Sequence, residues 1–469
     1  MPLQPKLFLS FLALFVALSG CSHSARENEG PAAPPPGMIS KNRLPNGLEA
    51  EEYRLPNGLR LFLVLNPSAP VFNYQLWVHA GSLTEVMDAK LKRAGLAHLF
   101  EHMMFRGTAK NPGRDYDLKM SAAGESGLNA TTSYDRTNFF VSLPKDKLDF
   151  LLEIEADRFQ NLAIDEAMFK NEVGAVLGEL KMGRDRPGTV AYFDLMSLAF
   201  PKHPYGVNII GFEEDLKKMT VDEANYFYRT YYSSNNFTLV LVGDLDRAET
   251  LRLVGKYFGG MTPKDIPRAD AAPEPPQTSP RRKLITHPAA ENVSLYFGYR
   301  TGPDSSPDTP ALEILASALG NGDGSMLQKS LVDGGLASSV SVGTNSLRQG
   351  GIFLMLAQIR DGVAVAKVEE KIEASLDRIR KGRMTAKEFA RARNLLLLQK
   401  YNGLDDNNGI ADMIAEGLLL NGDHMSLFRR VEALKKVDLK QVTLAAQKYM
   451  TKNQSSVLLM SPEKKNAKK

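Results

Sequence analysis

The chain has 469 residues, a length that favours two domains of roughly 200 residues each over a single hydrophobic core. Apolar residues make up 43% and charged residues 24%, as in ordinary soluble globular proteins. The net charge is only +4, and no block of like charge precedes the short basic tail at residues 464–469. This balance excludes nucleic acid as an implied partner.

The first 21 residues have the layout of a secretory signal peptide. Lys6 precedes a mostly apolar run at residues 7–18, which is too short to span a bilayer as a helix. The tetrapeptide Leu18-Ser19-Gly20-Cys21 resembles the lipobox of bacterial lipoproteins, which implies lipidation of Cys21. The alternative is a free or buried thiol. Cys21 is the only cysteine, so none remains for disulfides, nucleophilic catalysis or metal binding.

These features predict an extracytoplasmic protein with a lipid anchor. By the same resemblance, Ser22 favours the periplasmic side of the outer membrane over retention at the inner membrane. Residues 22–45 are rich in Pro, Ala, Gly and charge and are interpreted as a flexible tether.

The folded body is expected to begin near Tyr53, with a turn signal at residues 55–59 and strands at 60–65 and 73–79. A Pro-rich segment at 268–282 is predicted to link an N-terminal domain, 46–267, to a C-terminal domain, 283–469.

The two halves read as distant repeats. The strand pair of the first half is echoed at 283–285 and 293–298, and in each half a Gly-containing turn and a helical stretch follow. Longer amphipathic helices are predicted at 145–161 and 363–381. We therefore predict an α+β fold of two homologous domains, each a mainly antiparallel sheet packed with helices.

A metal-binding pattern lies in the helix predicted around residues 95–105. His98 and His102 are four residues apart, so both imidazoles lie on one face and can reach one ion. Glu101 lies on the same face of a helix that is otherwise apolar, where charged and polar groups need partners. A lone histidine would more often be a hydrogen-bonded core residue, but the whole pentapeptide favours a metal.

Two histidines leave a catalytic zinc one protein ligand short, because such sites use three and keep the fourth position open. The best candidate segment for the third ligand is residues 172–181. There Glu172 and Glu179 are seven residues apart, on one face of an otherwise apolar helix.

The motif resembles that of the pitrilysin and insulysin family of zinc peptidases, which includes the mitochondrial processing peptidases. Glu179 follows His102 by 77 residues and Glu172 by seven, and the family places two glutamates at such intervals. The resemblance implies one Zn²⁺ bound by His98, His102 and Glu179, with Glu101 as general base and Glu172 beside the ligands.

The resemblance also implies two domains facing each other around a chamber, and hydrolysis of peptides or unfolded proteins. Asn129 and Ala130 match the edge-strand segment along which the family binds extended substrates, although Asn129 could equally be an ordinary turn residue. Further stretches resemble family landmarks: 105–108, 129–137, 203–206, 232–236 and 243–244. His79 and His203 are interpreted as structural.

The chain departs from the family in its second half. Many single-chain members carry an Arg and, seven residues later, a Tyr that steady the substrate carbonyl, but here Leu331 and Ser338 occupy these positions. We expect a homologous partner subunit in a heterodimer to supply the pair; a weakly active enzyme is the alternative, and a homodimer is the other assembly expected. A non-catalytic scaffold subunit is the other function class, and the retained motif argues against it.

Overall fold

The computed structural model describes residues 37–91, 93–267 and 270–463. The strands are β1 (Gly37–Arg43), β2 (Glu49–Arg54), β3 (Arg60–Leu65), β4 (Val71–Val78), β5 (Ser126–Thr132), β6 (Thr137–Pro144), β7 (Phe237–Gly243), β8 (Arg281–His287), β9 (Ser294–Thr301), β10 (Ala337–Ser346), β11 (Gly351–Ile359) and β12 (Ser455–Pro462).

The helices are α1 (Ser82–Met87), α2 (Leu96–Met103), α3 (Asp115–Ala122), α4 (Leu148–Asn161), α5 (Glu166–Arg184), α6 (Pro187–Ala199), α7 (Glu213–Lys218), α8 (Val221–Tyr231), α9 (Arg247–Phe258), α10 (Thr309–Gly320), α11 (Val365–Arg380), α12 (Ala386–Asn402), α13 (Asn407–Asn421), α14 (Ser426–Lys436) and α15 (Leu439–Tyr449). No helix in the described part of the chain is long and apolar enough to cross a membrane.

The strands form two sheets that confirm the predicted repeat. The first has the order β1-β2-β3-β7-β4-β6-β5, and the second, starting from its other edge, β8-β12-β9-β11-β10. In the first sheet β3 pairs parallel with β7, and the strands from β7 to β5 then pair antiparallel. In the second sheet β8 pairs parallel with β12, and the strands from β12 to β10 then pair antiparallel. Helices pack on the sheets, as expected for an α+β fold with two homologous halves.

One helix from each half packs against the sheet of the other half. Helix α13 of the second half covers the outer face of the first sheet, where Ile410 and Ile414 pack among Phe62, Trp77 and Val240. Helix α6 of the first half packs against β9 and β12 through Ala191 and Leu195. The two halves are therefore interlocked.

The predicted tether boundary at residue 45 was wrong. Residues 37–43 form β1, which pairs antiparallel with β2 at the edge of the first sheet. The strand was missed because its side chains are mostly exposed and polar, without apolar alternation. A signal was available: Arg-Leu-Pro-Asn-Gly-Leu occurs at 43–48 and again at 54–59, and in both turns the Gly has a positive φ.

Two other boundaries shift. Strand β8 begins at Arg281, so the predicted linker 268–282 ends two residues earlier and the second half begins before 283. The helix predicted from 145 starts as a 3₁₀ turn, Lys145–Lys147, before α4. The signal segment and Cys21 lie outside the described residues.

Candidate metal centre

Helix α2 carries the predicted motif, and two features stabilise its N-terminus. Gly95 precedes the helix with φ 102°, a conformation that glycine adopts without strain. The carboxylate of Glu85 in α1 accepts hydrogen bonds from the backbone N–H groups of Gly95 and Ala97, at 2.6 and 2.5 Å. Glu85 is fully buried, so it serves as a side-chain cap supplied by a neighbouring helix.

The two histidines of α2 point to the same side of the helix, as their spacing predicts. Their ring centroids are 4.9 Å apart. Glu179 of α5 lies opposite, and its Oε2 is 3.6 Å from Nε2 of His98 and 3.4 Å from Nε2 of His102. One ligand atom from each residue lies within 4.8 Å of the others.

This donor set fits a divalent metal. A tetrahedral zinc site with nitrogen and oxygen bonds of about 2.0–2.2 Å has edges of about 3.3–3.6 Å between ligand atoms. The two distances that join Glu179 to the histidines fall at this length. Two imidazoles and a carboxylate leave a fourth tetrahedral position for water or substrate, as catalytic zinc sites require.

Glu172 lies beside the cluster, on the buried face of α5. It is buried, and Arg106 donates to its Oε1 at 2.6 Å. Its Oε2 lies 3.9 Å from Nδ1 of His102 and has no hydrogen-bond partner among the described residues. Glu172 is therefore held by Arg106 in a position to orient the imidazole of His102.

The shifted pKa values of His98, His102 and Glu179 favour binding of a metal cation. Burial lowers the pKa of His98 to about 4, against the charge of Glu179, so its imidazole is neutral. The hydrogen bond to Glu179 raises the pKa of His102 and lowers that of Glu179. The carboxylate of Glu179 thus favours positive charge at His102, and a bound metal cation would supply that charge.

Glu101 faces the cluster and is tied to the edge of the first sheet. The Oγ1 hydroxyl of Thr132, the last residue of β5, donates to Oε2 of Glu101 at 2.5 Å. Burial raises the pKa of Glu101, opposed by this hydrogen bond and by the charge of His102. A carboxylate whose pKa is shifted towards neutrality is suited to accept a proton and return it.

A cavity of about 480 Å³ opens beside the cluster. His98, Thr132 and Glu179 line one side of it. The remaining wall combines apolar side chains, among them Val190, Phe193 and Phe212, with the charged side chains of Arg184, Arg186 and Asp194. The cluster therefore adjoins a space large enough for side chains of a peptide.

The structure brings together five of the residues singled out in the sequence: His98, Glu101, His102, Glu172 and Glu179. Asn129 and Ala130 lie nearby on β5, an edge strand of the first sheet. Leu331 is buried and Ser338 lies exposed on β10.

Sequence reasoning missed Glu85, Arg106 and Thr132. Glu85 belongs to a different helix, so no spacing within the motif points to it. Arg106 and Thr132 lie inside stretches identified as family landmarks, and this was the signal that could have directed attention to them.

Comparison with known proteins agrees with this layout. The family model described as "Insulinase (Peptidase family M16)" matches residues 60–212, and that described as "Peptidase M16 inactive domain" matches 218–396. The zinc protease PqqE of Helicobacter pylori is 28% identical over 421 residues, covering 88% of this chain and 93% of that protein. The probable mitochondrial-processing peptidase subunit beta of Arabidopsis thaliana is 24% identical, covering 92% and 82%.

A crystal structure of a protease from Helicobacter pylori superposes with a TM-score of 0.83 at 26% identity, covering 88% of this chain and 99% of that one. The two interlocked sheet-and-helix halves match the fold of M16-like peptidase structures. The chain carries both the N-terminal and the C-terminal domain of the peptidase M16, or insulinase-like, family.

Proposed function

We propose that the chain is a zinc-dependent endopeptidase that hydrolyses peptides or unfolded proteins. The observation that carries this proposal is the convergence of His98, His102 and Glu179 on one point beside Glu101. The names of the relatives as zinc proteases support the choice of metal. One Zn²⁺ is proposed, held by these three residues.

A zinc ion bound there would polarise the scissile carbonyl and lower the pKa of a water molecule to about 7. Glu101 accepts the proton of the attacking water. Thr132 donates to Oε2, so we assign the accepting role to Oε1. Glu101 then passes the proton to the leaving amine, so that one carboxylate serves as base and then as acid.

The substrate is proposed to bind along β5. This strand pairs with β6 on one side and ends the sheet on the other, so its outer backbone groups face away from the sheet. An extended peptide can add there as a further strand, with main-chain hydrogen bonds to the segment of Asn129 and Ala130. Thr132, in the same strand, would then place the peptide next to Glu101.

We infer that a partner subunit completes the site. Leu331 is buried and Ser338 carries only a short hydroxyl, so neither can supply the Arg and Tyr donors expected from the resemblance. The partner that supplies the pair would be a homologous chain in a heterodimer, because a second copy in a homodimer carries the same Leu331 and Ser338. Copurification from the native membrane, followed by mass spectrometry, tests this: a homologue with the Arg/Tyr pair supports the heterodimer.

Membrane attachment is proposed through a lipid on Cys21, at the periplasmic side of the bacterial outer membrane. The Cys21→Ser variant should appear in the soluble fraction, whereas the native chain should partition with outer-membrane vesicles. Equal partitioning of the two proteins would contradict the proposal.

The decisive experiment is the Glu101→Gln variant. It should retain stoichiometric zinc, measured by atomic absorption, and lose about 10²- to 10⁴-fold in kcat on an internally quenched peptide. His102→Gln should lose the zinc as well. If the native protein binds zinc but Glu101→Gln is equally active, the endopeptidase proposal fails.

A non-catalytic scaffold is the second candidate function. It is favoured by the match of residues 218–396 to a domain described as inactive. Native protein that assembles with a partner and hydrolyses no peptide, alone or in the complex, would favour this scaffold role.

A further inference from the structure

The turn between β5 and β6, residues 133–136, connects the metal centre to the second half of the chain. The residue just before the turn is Thr132, whose hydroxyl donates a hydrogen bond to the carboxylate of Glu101. We propose that the second half positions Glu101 through this turn, with Asp135 as the positioning residue. The inference rests on the proposed function, because it assigns Asp135 a part in placing the base of that reaction.

Asp135 is held by groups from both halves. Its carboxylate accepts a hydrogen bond from the hydroxyl of Tyr205 in the first half, at 2.9 Å to Oδ2. The backbone N–H of Arg348 in the second half donates to the same oxygen at 3.2 Å, and Nε of Arg348 lies 3.5 Å from Oδ1. Only 2% of the Asp135 side chain is exposed, so these contacts are shielded from water.

The partner of Asp135 is a turn with a fixed shape. Residues 347–350 join β10 to β11, and the N–H of Leu347 donates to the carbonyl of Gly350 at 2.9 Å. The N–H of Gln349 donates to the Tyr205 hydroxyl at 3.0 Å. The side chain of Leu347 is buried among residues of the first half, including Leu83 and Tyr205. Two successive backbone N–H groups of the second half are thus aimed at one site in the first.

The turn at Asp135 is itself rigid. The N–H of Ser133 donates to the carbonyl of Arg136 at 2.8 Å. At the start of α1, the N–H groups of Ser82 and Leu83 donate to the carbonyls of Ser133 and Tyr134. Gly81 abuts the turn so closely that an added Cβ would lie 2.3 Å from the carbonyl oxygen of Ser133. A rigid turn transmits a displacement of Asp135 to Thr132, three residues away.

The consequence for catalysis follows from the sensitivity of proton transfer to distance. A misplacement of about 1 Å can cost about 10²-fold in rate, even when the group itself is intact. The contacts from the second half therefore matter for kcat although no residue of that half named here touches Glu101. A purely structural role would act differently, lowering the active fraction and the stability without changing the turnover of the zinc-loaded molecules.

The test is a double-mutant cycle in the full-length protein. Asp135→Asn should lower kcat about tenfold on an internally quenched peptide, with kcat expressed per zinc-loaded molecule and the zinc Kd changed less than about twofold. Thr132→Val removes the hydroxyl that links the turn to Glu101. In the Thr132→Val background, Asp135→Asn should cause no further loss beyond about twofold.

Two further variants serve as a replacement for Asp135→Asn and as a control. If Asp135→Asn does not fold, Arg348→Met replaces it in the cycle; its side chain is partly exposed, and the expected loss in kcat is about threefold with the same dependence on Thr132. Asn345→Ala is the matched control, because Asn345 lies in β10 and its side-chain amide also crosses to the first half, where it donates to the hydroxyl of Tyr192 instead of to Asp135. Its kcat should equal that of the native protein.

Each outcome decides something. An equal loss in both backgrounds, or no loss in kcat per zinc, overturns the positioning role of Asp135 while leaving the endopeptidase proposal standing. A native protein that hydrolyses no peptide overturns the endopeptidase proposal and this inference with it. Non-additive loss in kcat with unchanged zinc affinity supports both.

Discussion

The carboxylate of Glu85 accepts a 2.5 Å hydrogen bond from the backbone N–H of Ala97, the residue that precedes His98. The metal-binding helix therefore begins against a buried carboxyl group that comes from a different helix, α1. Burial raises the pKa of Glu85 to about 8, opposed by the hydrogen bonds from the backbone of Gly95 and Ala97. Helix N-termini favour negative charge because their first N–H groups have no partner within the helix.

Glu85→Gln should disturb the metal centre without touching a ligand. The amide has one acceptor oxygen instead of two, and its NH₂ group would face a backbone N–H. We expect a loss of about 1–3 kcal/mol in the free energy of unfolding and at least about tenfold weaker zinc binding. Urea denaturation of the metal-free chain and zinc competition with a chelator measure the two effects. Glu249→Gln, at the exposed start of α9, should change neither; unchanged zinc affinity in Glu85→Gln would contradict the capping role.

Arg106→Met should loosen Glu172. The Nε of Arg106 donates to Oε1 of Glu172 at 2.6 Å, and without it Glu172 is free to turn away from Nδ1 of His102. Loss of a group that supports a ligand typically weakens metal binding about 10- to 100-fold. Isothermal titration with zinc should show this loss. Lys170→Met, which removes the exposed pair between Lys170 and Glu166 on the same helix, provides the baseline, and a result equal to that baseline would refute the role of Arg106.

The sequence predicted those parts of the site whose residues repeat at helical spacing. His98, Glu101 and His102 fall on one face of α2, as do Glu172 and Glu179 on α5, so each helix brought its own set together before any tertiary contact was known. The family resemblance then joined the two helices.

The remaining contacts depend on which helix packs where. The apolar residues of α13 predict that the helix is buried, but they do not predict that it covers the first sheet instead of the second. The approach of Arg348 to Asp135 likewise joins residues 213 positions apart, and no sequence pattern links the two. Such contacts follow from the relative placement of the halves, and no local pattern records that placement.

Binding of the substrate as an added strand predicts a periodic response to backbone methylation. In a strand, alternate N–H groups point to opposite edges, so only every second amide of the peptide would bond to β5. N-methylation at successive positions of one substrate should therefore raise KM at alternate positions, by about fivefold or more where a hydrogen bond is lost. Steady-state kinetics on the series measures this effect. A uniform increase, or an increase at a single position, would exclude strand addition along Asn129 and Ala130.

The stability of the protein should fall in mild acid, in part because of His79. His79 directly follows β4, and its Nε2 lies 2.9 Å from Oγ1 of Thr238 in β7; burial lowers its pKa to about 4 from an ordinary value of about 6.5. Between these values the unfolded chain binds a proton at His79 that the folded chain does not. The free energy of unfolding therefore decreases as the pH falls from 6.5 to 4, and this contribution levels off below pH 4.

His79→Gln should remove that contribution while keeping a side chain that can bond Thr238. The buried imidazoles of His203 and His424 also have lowered pKa values, but they are common to both proteins and cancel in the comparison. Urea denaturation from pH 7.5 to pH 4 should thus show a shallower loss of stability in the variant, by up to one proton in the slope against pH. Since His79 is interpreted as structural, kcat per zinc-loaded molecule at pH 7.5 should be unchanged. Parallel stability curves would show instead that His79 is already protonated, or accessible, in the folded chain.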